Sequence, residues 1–319
     1  MAPTTSKRKL DEEKESQNAV AAAAHSLSQH VQLHKSGKSV DTRDRNENVE
    51  TFETPNGDKS ITCKKYSTGS GHTKDSKKAT TPSLIFTHGA GGGIEAPATV
   101  EFAEGFASVD TVLCFQGTMN LKSRVKSFYT IIEDQGWGQV LGGRSMGARA
   151  AVMTANEHGK TEALILVSYP LVSEKGDVRD EILLEITKDV AVLFVSGDGD
   201  KMCQLDKLNE VRSRMKATSW LVVVKGADHG MSVKPKGAVE PVRRETGRVA
   251  AQWLKERDSK KLEAVIEWND EDGGAAMTTW HGDQAIPKLG QKRAAVEQTE
   301  QDEEKGTSAR PHSKRKKRA

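Results

Sequence analysis

At 319 residues the chain can hold one large domain with appendages or two modest ones. Its net charge of +3, from 48 basic and 45 acidic residues, excludes a molecule whose whole surface is built for nucleic acid. Only 35% of residues are hydrophobic and the mean hydropathy is −0.62, low for a fully packed globule of this length. The deficit lies at the two ends, so composition predicts one core flanked by disordered tails. Three scattered cysteines, Cys63, Cys114 and Cys203, form no CxxC and fit a reducing compartment. No signal-peptide h-region is present, and the longest apolar run, residues 163–172, is too short to span a bilayer. These features predict a soluble intracellular protein.

Residues 1–46 read as a charged, disordered tail and residues 47–257 as the folded domain. Residues 49–53 and 60–66 each mix apolar and polar positions around the strong turn signal Pro55-Asn56-Gly57-Asp58, which predicts a β-hairpin. A polar loop over residues 69–81 follows. Leu84-Ile85-Phe86 is apolar on both faces, as a central strand covered from two sides must be. The glycine-rich Thr87-His88-Gly89-Ala90-Gly91-Gly92-Gly93 opens at its carboxyl end. A short helix around Val100, Phe102, Ala103 and Phe106 precedes a strand over residues 111–115. Leu121, Val125, Phe128, Ile131 and Ile132 recur at helical spacing until Gly136.

The strand over residues 138–142 then runs into Gly143-Arg144-Ser145-Met146-Gly147, and an alanine-rich helix follows as far as Gly159. A strand turning sharply into a helix places the serine at a strained apex, and the glycines on either side keep the flanking backbone from colliding. Strands are expected over residues 162–168, 191–195 and 220–224, the last being the final core strand. Helices through Leu208 and Val211, and through Val242, Val249 and Trp253, cover the sheet. Residues 258–286 read as a partly ordered extension in which Trp268 and Trp280 cover the domain loosely; residues 287–319 read as a disordered basic tail. Strands alternating with helices imply an α/β fold with a mostly parallel central sheet and helices on both faces.

In open α/β sheets ligands gather at the carboxyl ends of the strands. Four loops meet that condition here: residues 88–93, Ser145, residues 198–200 and Asp228-His229. A serine hydroxyl needs an adjacent base, and His229 is the only histidine after Ser145 that stands just beyond a core strand. The imidazole needs a carboxylate to fix its tautomer; Asp200 is favoured because it reaches further toward the rim, with Asp198 as the competing choice. The predicted triad is Ser145, Asp200 and His229, in the chain order of this fold type. The oxyanion donors are expected from the backbone N–H of Met146 and from Ala90 or Gly91. Arg144, in the variable position of the motif, either pairs with a buried carboxylate or meets an acidic substrate. The glycine run lacks the spacing of a phosphate loop, and no histidine or cysteine is spaced for a metal, so no cofactor is expected. About twenty residues between Ser168 and Val190 leave no room for a large lid, which implies an open site for a small acyl substrate.

Taken together, Thr87-His88-Gly89-Ala90-Gly91-Gly92, the elbow Gly142-Gly143-Arg144-Ser145-Met146-Gly147-Ala148-Arg149, Ser168-Tyr169-Pro170-Leu171, Phe194-Val195-Ser196-Gly197-Asp198-Gly199-Asp200 and Asp228-His229 resemble one group of α/β-hydrolases. It is the hydrolase-like family that contains testis-expressed protein 30 and the third regulatory subunit of the NSL acetyltransferase complex, similar in design to dienelactone hydrolases. The resemblance covers about residues 48–257 and implies an α/β-hydrolase fold with Ser145 as nucleophile, Asp200 as acid and His229 as base. Where the family usually has a neutral residue this chain has Asp198, so the acid stays open between the two aspartates. Two functions are consistent with the sequence: a serine hydrolase of an ester, thioester or similar acyl bond, or a non-catalytic module of a nuclear complex. Lys7-Arg8-Lys9 and Lys314-Arg315-Lys316-Lys317-Arg318 suit importin or another protein partner and a nuclear location; binding of nucleic acid through the tail is the less favoured reading.

Overall fold

A computed structural model describes residues 48–68, 81–173 and 176–282. The expected tails at residues 1–46 and 287–319, both basic clusters and almost all of the loop at residues 69–81 lie outside the described residues.

Ten strands form one sheet in the order β1-β2-β4-β3-β5-β6-β7-β8-β9-β10. The hairpin comes first: β1 (Val49–Asn56) and β2 (Lys59–Tyr66) pair antiparallel, and their closing pair, Asn56 with Lys59, leaves Gly57 and Asp58 as the turn. Gly57 takes φ 62°, which glycine adopts without a Cβ penalty. Strands β3 (Leu84–Thr87), β4 (Val112–Phe115), β5 (Val140–Arg144), β6 (Ala163–Val167), β7 (Ala191–Gly197) and β8 (Ser219–Val224) are mutually parallel.

Period-two alternation divides their side chains between two cores. On β7, Val192 and Phe194 face one core, Leu193 and Val195 the other. The first core is closed by α2 (Leu121–Gln135), α3 (Met146–His158) and α5 (Leu205–Arg214). The second is closed by α1 (Pro97–Ala107) and α6 (Val239–Lys255). A short helix, α4 (Glu181–Leu184), bridges β6 and β7. Helices α1 and α6 pack backbone to backbone: a Cβ on Gly105 would stand 1.8 Å from the carbonyl oxygen of Arg244, and one on Gly247 2.0 Å from that of Phe102. Larger residues there would separate the two helices.

The sheet does not end at β8. Strand β9 (Glu263–Asn269) adds to it in parallel, and β10 (Gly274–Met277) pairs antiparallel with β9. This corrects the expectation that residues 220–224 form the last core strand and that the following segment only covers the domain. The segment's charge hid the strand. Its core-facing positions are few, Ala264 and Ile266, both fully buried. Glu263, also buried, is neutralised by Arg212 at 2.8 Å. Trp268 and Trp280 pack at the margin of the second core.

The chain leaves β3 toward β4 on one side and returns to β5 on the other, so the order of strands reverses at β3. A crevice opens at the carboxyl ends of the strands beside such a reversal. Truncation tests the role of the added edge. A chain ended at residue 258 loses β9 and β10 and is expected to be less stable by more than ~3 kcal/mol, since burial of a side chain such as Ile266 alone contributes ~1.5–3 kcal/mol. The midpoint of urea unfolding measures this.

Candidate active site

Ser145 joins β5 to α3 with φ 52° and ψ −116°. A non-glycine residue in such a conformation carries ~1–3 kcal/mol of strain, which its surroundings must offset. Both sides of the turn do so. The Ser145 N–H donates to the carbonyl of Val167 at 2.9 Å, continuing the β5–β6 ladder, and its own carbonyl accepts from the Arg149 N–H at 3.2 Å, starting the helix. The two glycines of the motif are required by contact. A Cβ on Gly143 would meet the carbonyl carbon of Gly147 at 2.3 Å, and one on Gly147 would meet the carbonyl oxygens of Thr87 and His88 at 2.6 Å each.

The turn raises the hydroxyl to the rim, where His229 Nε2 lies 2.9 Å from Ser145 Oγ. His229 Nδ1 stands 2.8 Å from Asp200 Oδ2. Asp200 is buried, and its second oxygen accepts the Met202 N–H at 2.8 Å. This geometry suits a neutral imidazole with its proton on Nδ1, donated to Asp200, and Nε2 accepting from the serine hydroxyl. Of the two candidate aspartates it is Asp200 that meets His229. Asp198 points to the neighbouring turn, where Oδ1 accepts the Gly226 N–H at 2.6 Å and Oδ2 lies 3.9 Å from Lys225 Nζ. Asp228 shapes the histidine loop by accepting the N–H groups of Gly230 and Ser232 at 2.7 and 2.9 Å.

Met146 is the first residue of α3, whose leading N–H groups have no partner within the helix. Ala90 and Gly91 lie exposed on the loop after β3. Beneath them His88 is buried. Its Nε2 accepts the Gly117 N–H at 3.0 Å, so the ring proton is on Nδ1, which donates to the Gly89 carbonyl at 2.7 Å. Burial, and then the nearby Arg124 guanidinium, hold the His88 pKa below its ordinary value.

Arg144 does not pair with a carboxylate, the first of its two expected partners. Its Nη2 donates to the main-chain carbonyl of His229 at 2.5 Å, tying the elbow directly to the histidine loop. The side chain runs past Gly89, where an added Cβ would touch Nη1 at 3.0 Å. Burial, followed by Arg243, lowers its pKa, while Asp200 and Asp228 act in the opposite direction.

Two arginines of this site were missed from sequence. Arg243, on α6, donates to the Met231 and Gly230 carbonyls at 3.1 and 2.9 Å while paired with Glu101 at 3.1 Å. Arg124, on α2, is fully buried and has only carbonyl partners: Thr118 at 2.9 and 2.6 Å, Gly89 at 3.1 Å, and His88. Burial lowers its pKa to about 10. A signal did exist for Arg124. It falls three residues after Leu121 and four before Phe128, on the apolar stripe of its helix, where an unpaired arginine is out of place.

The comparisons with known proteins bear on this geometry. A family model described as an alpha/beta hydrolase domain matches residues 118–264. Among solved structures, Est1E from Butyrivibrio proteoclasticus superposes with a TM-score of 0.50 at 14% identity, over 65% of this chain and 99% of that one. An esterase from Pyrobaculum calidifontis gives 0.50 at 14% identity, over 66% and 85%. The chain has the α/β-hydrolase fold. Ser145 stands at the strand–turn–helix between β5 and α3, and β9 and β10 extend the sheet beyond β8, the strand that carries the histidine loop. Among the described residues, no helix is long and apolar enough to cross a membrane.

Two expectations follow. Arg124→Met leaves the carbonyls beneath the glycine loop without a donor and is expected to cost at least ~2 kcal/mol, read from urea unfolding. His88 is held neutral in the fold but takes up a proton near pH 6.5 in the unfolded chain. Its contribution to stability is therefore complete above that pH and is lost as the pH falls toward the lowered native value. His88→Gln is expected to flatten the decline in unfolding midpoint between pH 7 and pH 5.

Proposed function

We propose that the chain is a serine hydrolase acting on an ester, thioester or similar acyl bond, with Ser145 as nucleophile, His229 as general base and Asp200 as the carboxylate that orients it. One observation carries the reading: the unbroken chain of contacts from Asp200 Oδ2 through the imidazole to Ser145 Oγ, at 2.8 and 2.9 Å, on a strained elbow. The esterase fold likeness agrees with it.

In the mechanism, His229 Nε2 takes the proton of Ser145 as Oγ attacks the acyl carbon. The charge that forms on the carbonyl oxygen is held by the Met146 N–H at the start of α3 and by that of Ala90 or Gly91. The histidine then protonates the leaving group. Water, deprotonated by the same nitrogen, releases the acyl group from serine. Among the described residues one short helix separates β6 from β7, which supports an open site and a small acyl substrate. The Gly-Gly-Arg-Ser-Met-Gly segment supports membership of the hydrolase-like family named above, and the basic pentad at residues 314–318 supports a nuclear site of action with importin as a partner.

A fluorophosphonate probe tests the reading. It is expected to label the wild type and not Ser145→Ala, and His229→Ala and Asp200→Asn are each expected to lower ester turnover by ~10⁴-fold or more. Asp198→Asn is expected to retain most activity. Absence of Ser145-dependent labelling together with absence of ester turnover would leave the fold serving as a non-catalytic module.

A further inference from the structure

Most arginines of the domain have a side-chain partner. Those of α5 and α6 each pair with a carboxylate, while Arg124 and Arg144 are taken up by main-chain carbonyls. Arg149 and Arg179 differ. Among the described residues neither guanidinium makes an ion pair or a hydrogen bond, and the Nε of Arg149 is buried without a partner.

Their placement gives this meaning. Arg149 lies one turn into α3, and its N–H caps the Ser145 carbonyl at 3.2 Å. Helical side chains lean back toward the N-terminus, so that residue i+4 covers the turn before it. For Arg149 that turn is the elbow itself. Across from it runs the segment after β6. Tyr169 is buried there and donates its hydroxyl to the Arg179 carbonyl at 3.0 Å, while the Arg179 N–H donates to the Leu171 carbonyl at 2.7 Å. Tyr169 and Arg179 are the neighbours that act electrostatically on Arg149. The two positive charges therefore lie close enough to repel each other, and among the described residues neither guanidinium pairs with a carboxylate. Such a pair repels itself until an anion bridges it, and the planar fork of arginine fits a carboxylate through two parallel hydrogen bonds.

We propose that Arg149 and Arg179 form an anion subsite beside Ser145, so that the esters taken by this site carry a carboxylate on the acyl chain or on the leaving group. The proposal rests on the hydrolase reading above and adds the substrate class. Both guanidinium groups act before chemistry, on binding and placement of the ester, and neither exchanges a proton with it.

Paired esters give the test. One pair, 4-nitrophenyl hydrogen glutarate and 4-nitrophenyl pentanoate, places the charge on the acyl chain. The other, 3-carboxyphenyl butyrate and phenyl butyrate, places it on the leaving group. In the wild type one pair is expected to favour its charged member in kcat/KM by ~10-fold or more, the size of one or two charge-assisted hydrogen bonds. Within each variant the ratio of charged to neutral ester is insensitive to a general loss of activity. That ratio is expected to fall toward one in Arg149→Gln and in Arg179→Gln, chiefly through KM, and to be partly kept in Arg149→Lys. Ratios near one in the wild type for both pairs, or ratios unchanged in both glutamine variants, overturn the subsite and leave the hydrolase reading intact. Binding of monomethyl glutarate to Ser145→Ala, followed by calorimetry with and without Arg149→Gln, separates the two ideas. Arg149-dependent binding without any turnover in the wild type keeps the anion subsite and removes the hydrolase; neither binding nor turnover removes both.

Discussion

The backbone of Ser145, held at φ 52° and ψ −116°, is the constraint from which the rest of the rim follows. A turn of this kind does not persist by itself; the ~1–3 kcal/mol it costs must be offset by contacts that no relaxed conformation could keep. Here β5 is clamped between β3 and β6, so the approach to the turn cannot shift. On the far side, α3 presses so closely on the end of β3 that only glycine fits at residue 147. The same closeness sets the start of α3, and with it the free N–H of Met146, against the loop that follows β3. The strained serine, the helix terminus and the glycine loop are thus consequences of one packing event.

The second organising feature is the use of arginine as a tether for loops. A loop that must hold a reacting group in place exposes carbonyls that a strand or helix would have satisfied. At this rim Arg124 takes those beneath the glycine loop, Arg243 those of the histidine loop, and Arg144 the carbonyl of His229 itself. A guanidinium offers five donors in a fixed fork and stays charged when buried, so one side chain can fix several carbonyls at once. Of the three arginines, only Arg243 also meets a carboxylate within ion-pair distance, that of Glu101 at 3.1 Å. Arg149 and Arg179 stand apart, since their guanidinium groups make no hydrogen bond or ion pair among the described residues.

What could be read from sequence follows the same division. The central strands are apolar on both faces, and no other element of this length fits such runs, so β3 to β8 were visible within a residue or two. The elbow was visible because its glycines are required locally. Strand β9 was not, because its burial depends on a pairing between Glu263 and Arg212 that lie 51 residues apart. Arg124 and Arg243 escaped for a related reason: their partners are main-chain carbonyls, which leave no trace in side-chain chemistry. Arg144 was noticed as unusual, but its partner was sought among carboxylates when it is the backbone of residue 229.

The choice between Asp198 and Asp200 shows how sheet register reaches into chemistry. Strands β7 and β8 pair up to Gly197 opposite Val224, and the ladder continues as the Asp198 N–H donates to the Val224 carbonyl at 3.2 Å. A Cβ on Gly197 would lie 2.1 Å from the Ala227 carbonyl oxygen, so the turn after β7 runs directly against the histidine loop. Asp198, still in register with β8, turns its carboxylate to the neighbouring backbone at Gly226. The chain then folds back through the Asp200 N–H to the Gly197 carbonyl at 3.2 Å, and this reversal turns the second aspartate inward. Register places the first carboxylate on the sheet edge, and the turn places the second under the imidazole. A residue larger than glycine at 197 would push the two loops apart and lengthen the 2.8 Å contact on which the orientation of His229 depends.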